Sequence, residues 1–153
     1  MLIVDYEGYK IDKNKFIIKE FTLINLKINK TYHYFVRSPF IIKNNHTEWV
    51  YNNIHHIPFN YGSTSFKKII TLLKTNENIY VKGLEKTKFI KSISKSPNVI
   101  NLEEVQCPKY IEKNTINCSF TNHNKSNFNH CSLKKATFFK NWLLENEKDT
   151  KAL

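Results

Sequence analysis

The sequence is short of arginine, glycine and, through most of its length, cysteine: 153 residues include one arginine, three glycines and no cysteine before position 107. Scarce arginine argues against bidentate readout of bases or phosphates, since only the guanidinium group offers a planar fork of donors. No apolar run approaches the roughly 20 residues of a membrane span, and no secretory signal is visible. We therefore expect an intracellular protein, in the cytoplasm or nucleus, without membrane association.

Positive charge is abundant although arginine is not. Lysine and arginine total 24 against 13 aspartates and glutamates, which gives a formal net charge of +11. So basic a balance favours an anionic partner, nucleic acid first. An AT-rich coding sequence also produces many Lys, Ile and Asn residues, which weakens this inference. The length and the 41% of hydrophobic residues suit one packed domain, which we place at residues 1–147, with a frayed tail at 148–153.

Hydrophobic periodicity predicts five strands and four helices in the order β-β-β-α-α-β-α-β-α. The strands are predicted over residues 2–11, 15–28, 31–38, 79–83 and 98–105, and the helices over 45–57, 63–76, 84–95 and about 129–147. Short polar connections join the first three strands as hairpins. The order predicts an α/β fold: a mixed five-stranded sheet, with an antiparallel meander of the first three strands, parallel strands beyond it and helices on its faces.

In the first predicted strand, an apolar run is followed by two carboxylates, Asp5 and Glu7. Side chains alternate along a strand, so both point the same way, with Cα atoms roughly 6.5–7 Å apart. Two carboxylates so placed repel each other unless something positive lies between them. A lysine, solvent counter-ions or a divalent metal ion can fill that place, and a strand end that reaches solvent is the plain alternative.

Four stretches resemble the DEDD-type 3′–5′ exonucleases of the ribonuclease-H-like fold, in their His-bearing branch. The family's first Asp-x-Glu motif is matched by VDYEG, and its stretch after the third strand by NNIHHIPFNYGSTSFKKIITLL. The strand leading into its second motif is similar to IYVKGLEKTKFI. Its terminal motif, H-x-A-L-x-D-A, is similar to NHCSLKKATFFKNWL through His130, Leu133 and Ala136. The resemblance covers most of the chain and implies a ribonuclease-H-like sheet.

The resemblance also implies two-metal hydrolysis of phosphodiesters. In that chemistry two Mg²⁺ or Mn²⁺ ions, roughly 3.5–4 Å apart, are held by carboxylates and clamp the in-line displacement. Asp5 and Glu7 would be shared metal ligands, and Glu85 would serve as the second-motif carboxylate after a shift of register. His130 would be the general base that activates the attacking water.

Two lysines depart from the family pattern. The second-motif aspartate falls near Glu85–Lys86, and the last aspartate of the terminal motif falls on Lys135. We expect Lys135 to pair with Asp5 and Glu7 and to fill the site without metal. The sequence thus predicts a nucleic-acid-binding, exonuclease-like protein with impaired or lost nuclease activity. Two alternatives stay open: an active 3′–5′ exonuclease on single-stranded RNA or DNA, and a protein-interaction module on the same fold, of viral or transposon descent.

Single-stranded nucleic acid is the expected partner. Lysines that line the cleft would bind its phosphates as point charges, and the alternative is that they form solvated faces. The candidate lysines are Lys82, Lys86, Lys134 and Lys135.

All three cysteines fall in the polar segment 107–131. Structural Zn²⁺ takes four nitrogen or sulfur ligands, and a zinc-bound loop would explain about 20 irregular residues within a compact domain. The spacing C-x10-C-x4-H-x7-C fits no tight zinc knuckle, and His130 is an alternative fourth ligand. Three buried cysteines acting as small hydrophobes are the other interpretation. The candidate zinc ligands are Cys107, Cys118, His123 and Cys131.

Overall fold

The computed structural model describes residues 1–40, 43–94, 96–112, 116–125 and 128–151, with the backbone alone for 147–151. The predicted order of elements is confirmed. The strands are β1 (Leu2–Asp12), β2 (Lys15–Asn25), β3 (Lys30–Phe35), β4 (Ile79–Val81) and β5 (Val99–Asn101); the helices are α1 (Asn45–Val50), α2 (Phe66–Leu72), α3 (Leu84–Ser94) and α4 (Ser132–Lys151). No helix within these described ranges is long and apolar enough to cross a membrane.

Most element ends differ from the sequence prediction; the helix predicted over 45–57, for example, is α-helical only to Val50, and the strand predicted over 15–28 ends at Asn25. Three differences bear on the site. The strand predicted over 98–105 ends at Asn101, because the Asn101 side chain accepts the backbone N–H of Glu103 and starts a 3₁₀ turn. Helix α4 begins at Ser132, so His130 precedes it. The same helix continues to Lys151 through most of the segment predicted as a frayed tail, and residues 152 and 153 lie outside the described part of the chain.

The strands form one mixed sheet in the order β3-β2-β1-β4-β5. β2 is antiparallel to both β1 and β3, whereas β4 is parallel to both β1 and β5. The connections from β1 to β2 and from β2 to β3 are too short for a crossover, so they form a meander. Longer connections that contain helices lead to β4 and β5, and they produce the parallel half of the sheet. The predicted α/β architecture is confirmed at this level.

Side chains of β1 alternate between the two faces of the sheet, and each face has its own hydrophobic core. Leu2 and Val4 face the apolar residues of α2 and α3, whereas Ile3 packs with residues of α4 on the other face. Asp5 and Glu7 continue the alternation of Ile3 and are both buried, with 0% and 8% of their surface exposed. The prediction that the two carboxylates share one face is therefore confirmed, and that face is the one covered by α4 rather than by solvent.

A β-bulge follows the carboxylate pair. The pairing of β1 with β2 shifts between Glu7 and Gly8. A Cβ atom at Gly8 would lie 2.0 Å from the carbonyl oxygen of Ile17, so only glycine allows the two backbones to approach this closely. The bulge increases the local twist of the hairpin directly beyond Glu7.

Candidate functional site

A lysine ammonium group lies between the two carboxylates of β1. Lys86 Nζ is 2.9 Å from Asp5 Oδ1 and 3.7 Å from Glu7 Oε1, and it also donates to the Tyr6 carbonyl oxygen at 2.7 Å. Lys86 belongs to the first turn of α3, which follows β4, the parallel neighbour of β1. The lysine is thus the positive group that the spacing of Asp5 and Glu7 requires.

A second ammonium group reaches the pair from α4. Lys135 Nζ lies 3.6 Å from Glu7 Oε1, and His130 Nδ1 lies 4.0 Å from the same oxygen. The prediction that Lys135 comes within salt-bridge distance of the carboxylates is confirmed, with Glu7 as its partner. We call Asp5, Glu7, Lys86 and Lys135 the carboxylate–lysine cluster.

The charges of this cluster balance, since it contains two carboxylates and two ammonium groups. Burial raises the pKa of Asp5, and the positive charges of Lys86 and Lys135 oppose that effect. Burial alone would lower the pKa of Lys86, but the carboxylates of Asp5 and Glu7 raise it above its ordinary value. Among the described residues, Asp5 Oδ2 has no hydrogen-bond partner. The cluster is therefore held by ion pairs that involve one oxygen of each carboxylate.

Three of the four predicted catalytic residues meet in this place, and Glu85 does not. The Glu85 side chain is 83% exposed and lies 3.6 Å from the Lys10 ammonium group. It precedes Lys86, and adjacent residues of a helix face different directions. Lys86 thus takes the position beside Asp5 where a third carboxylate was predicted.

A second cluster lies on the same face of the sheet, one strand away. Glu20 of β2 is the cross-strand partner of Glu7 and is fully buried. Its Oε2 atom lies 3.6 Å from His123 Nδ1, 3.8 Å from Cys118 Sγ and 3.7 Å from Cys131 Sγ. One ligand atom from each of these four residues lies within 4.8 Å of all the others, so the group could bind a metal ion. We call Glu20, Cys118, His123 and Cys131 the metal-ligand cluster.

Hydrogen bonds around the metal-ligand cluster orient its ligand atoms. His123 Nε2 donates to the His55 carbonyl oxygen at 2.7 Å, which turns Nδ1 toward the cluster. The backbone N–H of Ser132 donates to Glu20 Oε1 at 2.7 Å, so Oε2 is the oxygen that faces the sulfur atoms. His33 Nε2 donates to that same Oε2 at 2.7 Å. Such outer contacts are typical of metal sites.

The same contacts favour the ionised forms of Glu20 and Cys118. Burial would raise the pKa of Glu20, but hydrogen bonds and charges from His123 and His33 hold it below its usual range. Hydrogen bonding with Cys131, and then with His123 and His33, lowers the pKa of the Cys118 thiol well below its ordinary value. Hydrogen bonding with Cys118, together with burial, raises the pKa of the Cys131 thiol. Burial would lower the pKa of His123, but hydrogen bonds with Cys118 and Glu20 raise it to about 9. Metal binds thiolate, carboxylate and neutral imidazole, so binding would release protons from Cys131 and His123.

Cys107 was predicted as a zinc ligand, and the structure places it elsewhere. It lies in the apolar core under α4 with Ile3 and Leu102, and burial raises its pKa to about 11. Glu20 stands in its place. The sequence gives little sign of this, because Glu20 lies 98 positions before Cys118. A single carboxylate inside the apolar run FIIKEFTLI was the available signal.

All four lysines predicted to contact nucleic acid have acceptors within the protein. Lys86 and Lys135 belong to the carboxylate–lysine cluster. Lys82 Nζ donates to the Cys107 carbonyl oxygen at 2.8 Å, and the buried Lys134 donates to that of His123 at 2.9 Å. The four ammonium groups therefore bind acceptors within the protein, and they are not free to bind phosphate.

An open cleft of about 300 Å³ adjoins the carboxylate–lysine cluster. Glu7 and Lys86 line it, together with an aromatic group and exposed lysines of the β1–β2 hairpin. Neighbouring rings of the aromatic group have centroids 5.3–5.4 Å apart. The aromatic residues are Tyr6, Phe16 and Phe89, and the lysines are Lys10, Lys13 and Lys15. Asp12 and Glu85 also line the cleft, and Glu85 pairs with Lys10, so lysines and carboxylates share the rim around the aromatic floor.

No protein-family model matches this chain, and a comparison with curated proteins likewise gives no match. The function is therefore inferred from the two clusters, the cleft and the sequence motifs. Both clusters lie under the start of α4, and the cleft opens beside one of them.

Proposed function

We propose that the chain is a nucleic-acid-binding protein with a ribonuclease-H-like, exonuclease-type fold, and that it has lost two-metal hydrolysis. One observation carries the proposal: Lys86 lies 2.9 Å from Asp5 and Lys135 lies 3.6 Å from Glu7. The fold assignment is supported by the antiparallel meander joined to parallel strands. The proximity of Asp5, Glu7 and His130 also supports the fold assignment, because the resemblance to the family motifs predicts it.

The two ammonium groups replace the charge of metal ions without their chemistry. Lysine compensates a carboxylate, but it does not act as a Lewis acid or lower the pKa of a bound water as a metal ion does. Mg²⁺ or Mn²⁺ would have to displace Lys86 from Asp5 and Lys135 from Glu7, against like-charge repulsion. We therefore expect neither ion to bind this cluster at ordinary concentrations.

The cleft suits an unpaired strand. Lysines at its rim can pair with phosphates, while the partly exposed rings of Phe16 and Phe89 can stack on bases, which contributes about 1–3 kcal/mol per base. A base must leave its duplex to present a face to such a floor. We therefore propose single-stranded RNA or DNA as the ligand of the cleft.

Neutralising the rim is expected to weaken this binding. The triple variant Lys10→Gln, Lys13→Gln and Lys15→Gln should bind a fluorescent single-stranded oligonucleotide at least about tenfold more weakly at low salt, because three phosphate contacts are lost. The slope of log K against log salt concentration should become shallower by about 2, at roughly 0.7 per contact on single strands. Fluorescence anisotropy across a salt series measures both quantities.

The matched control removes the same charge from the other end of the sheet. The exposed Lys27, Lys30 and Lys74 lie near the start of β1, away from the β1–β2 hairpin. Their triple glutamine variant should keep most of the affinity. Equal losses in the two variants would show general charge attraction instead of a cleft. A wild-type protein that binds no strand would favour the protein-interaction module.

We propose that the metal-ligand cluster holds a structural Zn²⁺ ion. Zinc bonds of about 2.3 Å to sulfur and 2.0 Å to nitrogen or oxygen place tetrahedral ligand atoms about 3.3–3.8 Å apart. The separations from Glu20 Oε2, and that between Cys118 Sγ and His123 Nδ1, are 3.6–3.8 Å, and all four ligand atoms lie within 4.8 Å of one another. Thiolates and an imidazole favour zinc over Mg²⁺ or Ca²⁺. With all four ligands buried, the metal would tie the segment 107–131 to β2.

A further inference from the structure

The start of α4 contacts both clusters. Cys131, the residue directly before the helix, belongs to the metal-ligand cluster, and Lys135 pairs with Glu7. The backbone N–H of Lys135 donates to the Cys131 carbonyl oxygen at 3.0 Å. Residues four apart lie one above the other on the same helix face. The position of Cys131 therefore sets where the Lys135 side chain begins.

The residues between them extend this connection. Ser132 contacts two residues of β2. Its backbone N–H donates to Glu20, and its hydroxyl oxygen lies 2.8 Å from the hydroxyl oxygen of Thr22. Lys134 is buried and donates to the carbonyl oxygen of His123, itself a member of the metal-ligand cluster. The first turn of α4 is thus fixed by contacts that converge on the metal-ligand cluster and on β2.

The strands join the two clusters a second time. Glu7 and Glu20 are direct partners across β1 and β2, on the face that α4 covers. Directly opposite residues of an antiparallel pair have Cα atoms about 4.5–5.5 Å apart. The carboxylate that accepts Lys135 and the carboxylate that faces the thiols are therefore held by one strand pair.

We propose that the metal ion controls the ion pair between Lys135 and Glu7, and through it the charge of the nucleic-acid cleft. This inference rests on the zinc and nucleic-acid proposals above. With zinc bound, Cys131 anchors the first turn of α4 and Lys135 compensates Glu7. Without zinc, the thiols and the imidazole lose their common partner, the turn moves and Lys135 leaves Glu7. Glu7 lines the cleft and keeps only Lys86 as its lysine partner, so its negative charge then repels phosphate more strongly.

Lysine acetylation by an N-hydroxysuccinimide ester, followed by mass spectrometry, tests the proposal. Lys135 and Lys82 both have side chains that are 18% exposed, and Lys82 contacts Glu103 and Cys107, so it is an internal control. Zinc content is measured first, and 1,10-phenanthroline then removes the ion. The acetylation rate of Lys135 relative to Lys82 should rise about fivefold or more, the equivalent of an ion pair of about 1 kcal/mol. Added zinc should reverse the change.

Each outcome decides between the proposals. An unchanged ratio in protein that has lost its zinc contradicts the control of Lys135 by the metal. A parallel rise at both lysines leaves the ratio unchanged and contradicts it equally, because the metal then supports the whole fold. Protein that takes up no zinc contradicts the zinc proposal and this inference together. A changed ratio in protein that binds no oligonucleotide supports the control of Lys135 and contradicts only the nucleic-acid proposal.

Discussion

The variant Cys118→Ala is expected to lose its zinc and to unfold at a melting temperature at least about 10 °C below that of the wild type. Metal binding contributes directly to folding, with about 10–16 kcal/mol of apparent affinity in zinc-finger peptides. We expect at least about 4 kcal/mol of it to appear as stability here, at roughly 2–4 °C per kcal/mol for a chain of this size. Metal analysis and thermal unfolding by circular dichroism measure both effects.

Cys107→Ala is the matched control. Cys107 and Cys118 are both 4% exposed, and the two variants remove the same sulfur atom, but only Cys118 belongs to the metal-ligand cluster. Cys107→Ala should keep one zinc per chain and lose about 1–2 kcal/mol, as expected for a small buried side chain. Chelation should bring the wild type close to the melting temperature of Cys118→Ala, above it only by the packing loss that truncation of a buried cysteine causes. Equal zinc content in the two variants would contradict the assignment of ligands.

The variant Lys86→Met is expected to lower the free energy of unfolding by about 3–5 kcal/mol, the usual cost of removing one partner of a buried ion pair. The loss is large because Asp5 is fully buried and its other carboxylate oxygen already has no hydrogen-bond partner among the described residues. A methionine side chain fills most of the volume of lysine, so a cavity contributes little. Urea unfolding with linear extrapolation measures the change.

Two further variants separate the ion pair from packing. In Lys82→Met the lost contacts are a hydrogen bond to the Cys107 carbonyl oxygen and an ion pair with the half-exposed Glu103. That variant should cost about 1–2 kcal/mol. The double variant Asp5→Asn with Lys86→Met should recover at least about half of the loss, since no buried charge remains unpaired. No recovery would show that the cost comes from packing and would weaken the case for an ion pair that replaces metal.

The sheet could be predicted because its signals are local. Alternating apolar residues, short polar connections and longer helical connections together determine which strands are antiparallel and which are parallel. The pairing of Lys135 with Glu7 could also be predicted, since it needs only the strand period at Asp5 and Glu7 and the position of Lys135 in the terminal motif. The predicted end of the fifth strand was wrong, because the cap made by Asn101 overrides the β-propensity of the residues that follow.

The partners of the two clusters could not be predicted. Glu20 reaches Cys118 through the register of β1 with β2, which shifts at the bulge after Glu7. Lys86 reaches Asp5 because β4 is parallel to β1 and directs the first turn of α3 toward it. Such placements depend on the pairing of residues far apart in the sequence, which local sequence patterns do not determine. For the same reason, Cys107 was included as a ligand through its proximity in sequence alone.

Degradation of 5′-labelled single-stranded RNA and DNA in Mn²⁺ tests the central claim most directly. The assay runs beside an EDTA control and the double variant Asp5→Ala with Glu7→Ala, on protein shown to be folded and to bind the strand. We predict that the labelled strand stays at full length, because Lys86 and Lys135 occupy the carboxylates that metal ions would need. A ladder that shortens from the 3′ end, and that both controls abolish, would contradict this prediction and make the chain a working two-metal exonuclease.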